Sequence, residues 1–306
     1  MSGVLTGFLV IGVIIAVGYV VGRIKLLGPH GQPVLARAIF FVLSPCLLFT
    51  VLAEAEVSRL FSPLLVVSLL AALTAFGIFI AVAALLWRRA LPEATIGALA
   101  AGYVNANNIG IPVSVYVLGD ATYSAPVVLL QLLIFTPIAL TLLDIGTGGK
   151  ASVGRILTQP FRNPIIIGSL LGLVVSLTRV ELPDPVLEPF RLIGAAALPI
   201  MLISFGMSLS GTRVLEPGSG RRDVLLATTI KLAIMPVAAW LIGRYGFGMT
   251  GHELFAVVVL ASLPSAQNVF NYAQRYSRGL ILARDTVLLT TVGSVGVLLI
   301  ASLLLT

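Results

Sequence analysis

The chain has 306 residues, of which 58% are hydrophobic and only 10% charged, with a mean hydropathy of +1.09. Soluble domains carry about 25% charged residues, so this composition excludes a water-soluble globular protein and makes a lipid bilayer the expected solvent. The net charge of +7 is spread over short loops between apolar runs, which reads as a topology signal and not as a nucleic-acid surface, and the single cysteine, Cys46, excludes an intramolecular disulfide.

A spanning helix needs about 20 mostly apolar residues. The expected fold class is an all-α polytopic membrane protein. Ten spans are expected, at 3–22, 34–53, 63–86, 94–118, 124–144, 163–179, 187–209, 223–243, 253–274 and 283–305. The first run is too long, and too poor in basic residues at its start, for a cleaved signal peptide. Its Gly12, Gly18 and Gly22 suit close helix packing. Gly28-Pro29, Trp87-Arg88-Arg89 and Pro217-Gly218-Ser219-Gly220 punctuate later runs. The connection from Ile145 to Arg162, with Gly146, Gly148, Gly149, Lys150 and Arg155, is the expected joint between halves 1–150 and 151–306. Arginine outnumbers lysine sixteen to three, which with abundant alanine suits a GC-rich bacterial genome.

The loops after odd-numbered spans hold Arg23, Lys25, Arg88, Arg89, Lys150, Arg155, Arg162, Arg213, Arg221, Arg222, Arg275, Arg278 and Arg284. Those after even-numbered spans hold Arg59, Arg179, Arg191 and Arg244. Cytoplasmic loops are the basic ones, so both termini are expected on the outer, periplasmic side. The halves also repeat. Pro33 recurs as Pro185, Pro45 as Pro199, Arg88 as Arg244 and Pro112 as Pro264, at offsets between 152 and 156 residues. Five spans per half is odd, so the second repeat must enter the membrane inverted.

Two spans carry polar interruptions. Span 4 contains Tyr103-Val104-Asn105-Ala106-Asn107-Asn108-Ile109-Gly110-Ile111-Pro112, and span 9 contains Ser262-Leu263-Pro264-Ser265-Ala266-Gln267-Asn268-Val269-Phe270-Asn271. Proline removes a backbone donor and breaks a helix, and unwound backbone inside a membrane is tolerated only where it is buried in protein or lines a cavity. Interrupted segments at matching places in two halves point to a transporter binding site. Breaks at Pro112 and Pro264 would leave half-helix starts with roughly +0.5 charge each, suited to an anion. Asn105 and Asn108 are spaced to share a helix face, as are Asn268 and Asn271, and amides bind a carboxylate through NH2 or a cation through oxygen. The bland alternative is that they only satisfy freed carbonyls. Lys231, inside span 8, is a candidate charge partner for an anion, or snorkels to the interface. Asp144 and Asp285 lie near span ends and suit interfacial pairing better than a proton relay. Gln131 and Thr74 suit bonds across helices. His30 and His252 fall in loops. No metal or cofactor site is legible.

Ten spans in a 5+5 inverted repeat, the asparagine-rich run into Gly110-Ile111-Pro112, and Leu263-Pro264-Ser265-Ala266-Gln267-Asn268 together resemble the auxin efflux carrier family. That family includes plant PIN-type carriers and bacterial organic-acid or malonate permeases. The resemblance covers the whole chain. It implies a bacterial inner-membrane protein with a scaffold domain (spans 1, 2, 6 and 7) that supports a homodimer. It also implies a transport domain (spans 3–5 and 8–10) that moves like an elevator. Substrate, a small organic anion, would bind where broken spans 4 and 9 cross, with a proton or sodium as possible partner. The resemblance places that site at Asn108, Pro112, Pro264 and Asn268; the residue pattern itself adds Asn105, Gln267 and Asn271. The central loop is shorter than in many plant members, and span 3 has no acidic residue near its middle to pair with Lys231. A sodium-coupled symporter of the bile-acid type is the nearest alternative, although no acidic cluster in the spans forms a sodium cage. An ion channel would need a polar stripe along several spans, whereas polarity here gathers at one depth. An enzyme would need a zinc pattern or paired aspartates, and neither appears.

Overall fold

The computed structural model describes residues 2–54, 62–148, 163–180, 182–210, 215 and 220–305. The greater part of the expected joint (149–162), residues 217–219 of the Pro-Gly-Ser-Gly punctuation, and Arg59 and Arg213 lie outside the described residues. The described backbone is helical. It comprises α1 (Ser2–Arg23), α2 (Gly31–Ala53), α3 (Pro63–Leu86), α4 (Leu91–Gly102), α5 (Ala106–Leu118) and α6 (Ala121–Gly146). After these come α7 (Pro164–Thr178), α8 (Asp184–Ser208), α9 (Arg221–Gly246), α10 (Gly251–Ser262), α11 (Gln267–Tyr276) and α12 (Leu280–Leu305). Among the described residues, α2, α3, α6, α8, α9 and α12 are long and apolar enough to cross a membrane. The runs expected as spans 4 and 9 are each two helices, α4–α5 and α10–α11.

Proline shapes several of these helices without ending them. Wide, π-type turns at Ile39–Leu43, Ala106–Gly110, Gln131–Phe135 and Ile230–Ile234 are each followed, two residues on, by Pro45, Pro112, Pro137 or Pro236. A proline cannot donate to the carbonyl four residues back. The turn before it widens instead: Ser44 donates to Ile39 and Met235 to Ile230, five residues back. The helix then continues past the proline, and such wide turns are common at functional sites.

Contacts group the chain into two compact units. The first comprises Met1–Ser62, Asn107–Leu133 and Leu157–Thr212. Within it α1 lies along α8, and α2 is flanked by α7 and α8. Lipid supplies no hydrophobic drive between helices, so close approach at small residues does the packing. Gly18 and Gly206 sit against the backbones of Ile203 and Ile15, Gly22 against Met207, and Gly168 against Pro45. Gly18 and Gly22 thus behave as expected. Gly12 faces open space, with nothing within 4 Å of where a Cβ would stand, and takes no part in this packing.

The second unit comprises Pro63–Ala106, Ile134–Ile156 and Arg213–Thr306. Here α3 packs on α4, α9 and α10, and α12 on α4, α9, α10 and α11. Helix ends are tied by charge. Arg89 grips Asp223 through two hydrogen bonds of 3.0 and 2.6 Å, and Arg222 lies 5.0 Å over the Trp87 ring. Asp285, buried, accepts from Arg284 and from the Leu215 N–H, both at 2.8 Å, while Asp144 accepts from Tyr276 at 2.6 Å. Both aspartates are paired near helix ends. Thr74 bonds the Leu70 carbonyl of its own helix at 2.8 Å and not a neighbouring helix.

Candidate functional site: the crossing of two interrupted helices

Both interruptions belong to the second unit, and they are bonded to each other. α4 stops at Gly102, and Tyr103 turns extended with φ −89° and ψ 99°. α10 stops at Ser262, and Leu263 is extended at φ −58° and ψ 148°, the conformation a following proline imposes. Val104 and Ser265 then form an antiparallel bridge, in which Asn105 N–H donates to the Pro264 carbonyl at 2.8 Å and Ala266 N–H donates to the Tyr103 carbonyl at 2.9 Å. Each break supplies the partners that the other lacks.

Side chains reach two helix carbonyls at these stops. Ala100, at the end of α4, accepts from the Ser265 hydroxyl. Ala261, at the end of α10, would ordinarily receive the Ser265 N–H. That N–H goes to the Thr290 hydroxyl at 3.1 Å, and the Lys231 amino group takes the Ala261 carbonyl at 2.6 Å and the Met235 sulfur at 3.2 Å. Lys231 is 0% exposed, so it does not snorkel. A buried amino group at the C-terminal end of a helix also meets the negative end of its dipole. Unsatisfied carbonyls in hydrocarbon cost several kcal/mol each, and these contacts remove that cost from within the unit.

The break in span 4 is not where the sequence placed it. The chain unwinds at Tyr103–Asn105, and Pro112 lies buried inside α5 after its wide turn. Asn105 is therefore outside α5, at the centre of a tight turn closed by the Ala106 N–H on the Val104 carbonyl at 2.8 Å, and does not share a helix face with Asn108; it is buried and anchors the break through its N–H. Asn107 and Asn108 stand in the first turn of α5. Asn107 Nδ2 donates to Asn108 Oδ1 at 2.9 Å and to the Ser44 hydroxyl at 3.2 Å. In span 9 the break does lie at Pro264. Gln267 and Asn268 open α11 half-buried, and Asn271, one turn on, is exposed. So each second half-helix begins with amide side chains.

One cluster escaped the sequence reading. The hydroxyls of Tyr103 and Thr136 share a hydrogen bond of 3.0 Å, Thr136 reaches Tyr272 at 3.3 Å, and Asn268 also bonds Tyr103. Tyr103, a buried ring with a polar tip, carries this network from the α4 break to the start of α11. A tyrosine within an apolar run reads as core, and only the Thr136 and Asn268 contacts distinguish it. Among the described residues no group of His, Cys, Asp and Glu could hold a metal ion.

The family model described as "Membrane transport protein" matches residues 4–302. The chain belongs to this family, the auxin efflux carrier family. It is thus a multi-pass membrane transporter, and the two interrupted helices lie in the span of that match. A Rhizobium meliloti (strain 1021) member named "Putative malonate transporter" is 25% identical over 291 residues, which cover 92% of this chain and 89% of that one. An "Uncharacterized transporter" of Methanothermobacter thermautotrophicus (strain ATCC 29096 and its equivalents) is 29% identical over 261 residues, 83% of this chain and 82% of that one.

Proposed function

We propose that this transporter is a secondary carrier of a small carboxylate, bound where α4–α5 and α10–α11 cross. One observation carries the reading: two helices stop, are bonded to each other through Val104 and Ser265, and restart with amides in their first turns. A helix start bears roughly +0.5 charge and offers free N–H groups to an anion. Asn108, Gln267 and Asn268 add NH2 donors at those starts. Asn105 and Pro264 hold the break, Pro112 keeps the α5 start in place through its wide turn, and Asn271 continues the polar face of α11. Lys231, when protonated, adds positive charge behind the crossing. The name of the Rhizobium meliloti relative favours a substrate of malonate size.

The same proposal extends to the architecture. Ten spans form two inverted five-helix repeats, with spans 1, 2, 6 and 7 as the scaffold and dimer surface. Spans 3–5 and 8–10 form the moving domain, and both termini lie on the outer side of a bacterial inner membrane. Most of the moving domain falls in the second compact unit, whereas residues 107–133 group with the scaffold helices.

The test is charge movement in proteoliposomes on a solid-supported membrane, challenged with malonate, malate, succinate and indole acetate, with and without proton and sodium gradients. The expected result is a saturable current with one carboxylate. Asn108→Ala and Asn268→Ala should abolish it while leaving folded protein in the membrane. Normal transport by both variants would sink the site, and a response only to cations or neutral solutes would sink the carboxylate.

A further inference from the structure

The second unit carries a cavity of about 450 Å³ between α9, α10 and α12, with walls that include Val237, Trp240, Val258, Ser262, Ala301 and Leu304. That volume is in the range of ligand sites, but the wall is almost wholly apolar. Ser262 turns its hydroxyl to the Val258 carbonyl of its own helix at 2.7 Å, so it offers the cavity no free donor. A carboxylate has nothing to bind there. Val237 and Leu304 are exposed on the rim, so the cavity opens sideways, toward hydrocarbon.

Its two ends differ. At the inner end stands Ser262, the last residue of α10 and two residues before Pro264. At the outer end Trp240 packs edge-on against Tyr245, with ring centroids 5.8 Å apart, as in the aromatic belts at membrane interfaces. Arg244 follows Trp240 by one helical turn, exposed and in no ion pair among the described residues. The eleven residue-to-residue steps from Ala233, on the inner wall, to Arg244 rise about 16 Å. One leaflet of hydrocarbon is half of about 30 Å. The cavity with Arg244 one turn beyond it therefore spans about the depth of a leaflet, with a cation at the interfacial end and an apolar end behind the helix break.

We propose that this groove is a binding site for one acyl chain of a bilayer phospholipid, whose phosphate rests on Arg244 and whose tail ends against Ser262. The tail packs on the last two turns of α10, the segment that Lys231 and Ser265 hold at the crossing. This assignment needs no carboxylate at the crossing, and its test uses no substrate.

The probe is phosphatidylglycerol with a photoreactive diazirine in its acyl chain, diluted into phosphatidylglycerol vesicles that contain the full-length protein. Adducts are mapped by mass spectrometry after illumination. Label should concentrate on peptides with Val258, Ser262 or Ala301 over the exposed Leu73 and Ile80 of α3, outside the proposed dimer surface. Val237→Trp, at a rim position that tolerates bulk, should lower groove labelling about fivefold, and Arg244→Gln should lower it by a similar factor. Equal labelling of groove and α3, unchanged by Val237→Trp, would overturn the proposal in favour of ordinary boundary lipid. No groove label, together with ready disulfide dimers of Val237→Cys, would overturn it in favour of a second copy of the chain.

Discussion

At the level of single residues, the crossing depends on two side chains that do what helix backbone ordinarily does. Ser265→Ala removes the hydroxyl that reaches the buried Ala100 carbonyl, and Lys231→Met removes the amino group from the Ala261 carbonyl, whose ordinary donor is bonded elsewhere. Each should cost about 1–3 kcal/mol, seen as a lower unfolding temperature in detergent; an unchanged melt for both would show that water or rearranged backbone replaces them. Lys231 was legible as an odd residue, since an ionisable group within an apolar run stands out. Its partner was not legible, because a main-chain carbonyl leaves no mark in a sequence. The same holds for Ser265, one of many small polar residues in the spans. Tyr103, Thr136 and Tyr272 were illegible for another reason: each belongs to a type that apolar runs commonly contain, and only the fold brings their hydroxyls together.

Among the helices, hydropathy and proline placed most boundaries. The apolar runs fall on helices, and Pro264 marks its break. Pro112 misled because a proline can be absorbed by a wide turn as well as by a break, and the choice depends on what lies beside it. The α4 break contains no proline; it exists because residues 264–266 offer Tyr103 and Asn105 a partner from across the unit, a non-local cause. Close approach is similarly selective. Gly206→Ala would press a Cβ into the Ile15 and Tyr19 backbones and should destabilise by about 1–3 kcal/mol or more. Gly12→Ala, facing open space, should stay within about 0.5 kcal/mol. Thermal unfolding of the two variants side by side checks this; equal effects would mean that α1 and α8 do not pack through these glycines.

For the molecule as a whole, composition alone placed the chain in a bilayer, and the match over residues 4–302 makes it a transporter. The loop charges carry a further expectation. Single cysteines at Ser2 and Thr306, in a Cys46→Ala background, should react with an impermeant maleimide added to intact cells. Labelling only after the membrane is opened would place the termini inside and reverse the proposed orientation. Substrate and coupling ion stay beyond sequence reasoning, since amides and helix starts accept several small anions on equal terms.

Unwound backbone in a transporter is ordinarily expected to trade its hydrogens with water quickly. Here the amides of Asn105, Ser265 and Ala266 each donate to a partner within the protein. The crossing should thus resist deuterium as stubbornly as the helices that flank it, even with no substrate present. If the crossing is the binding site proposed above, its geometry is kept when empty, and the return half of a carrier cycle would need no refolding there.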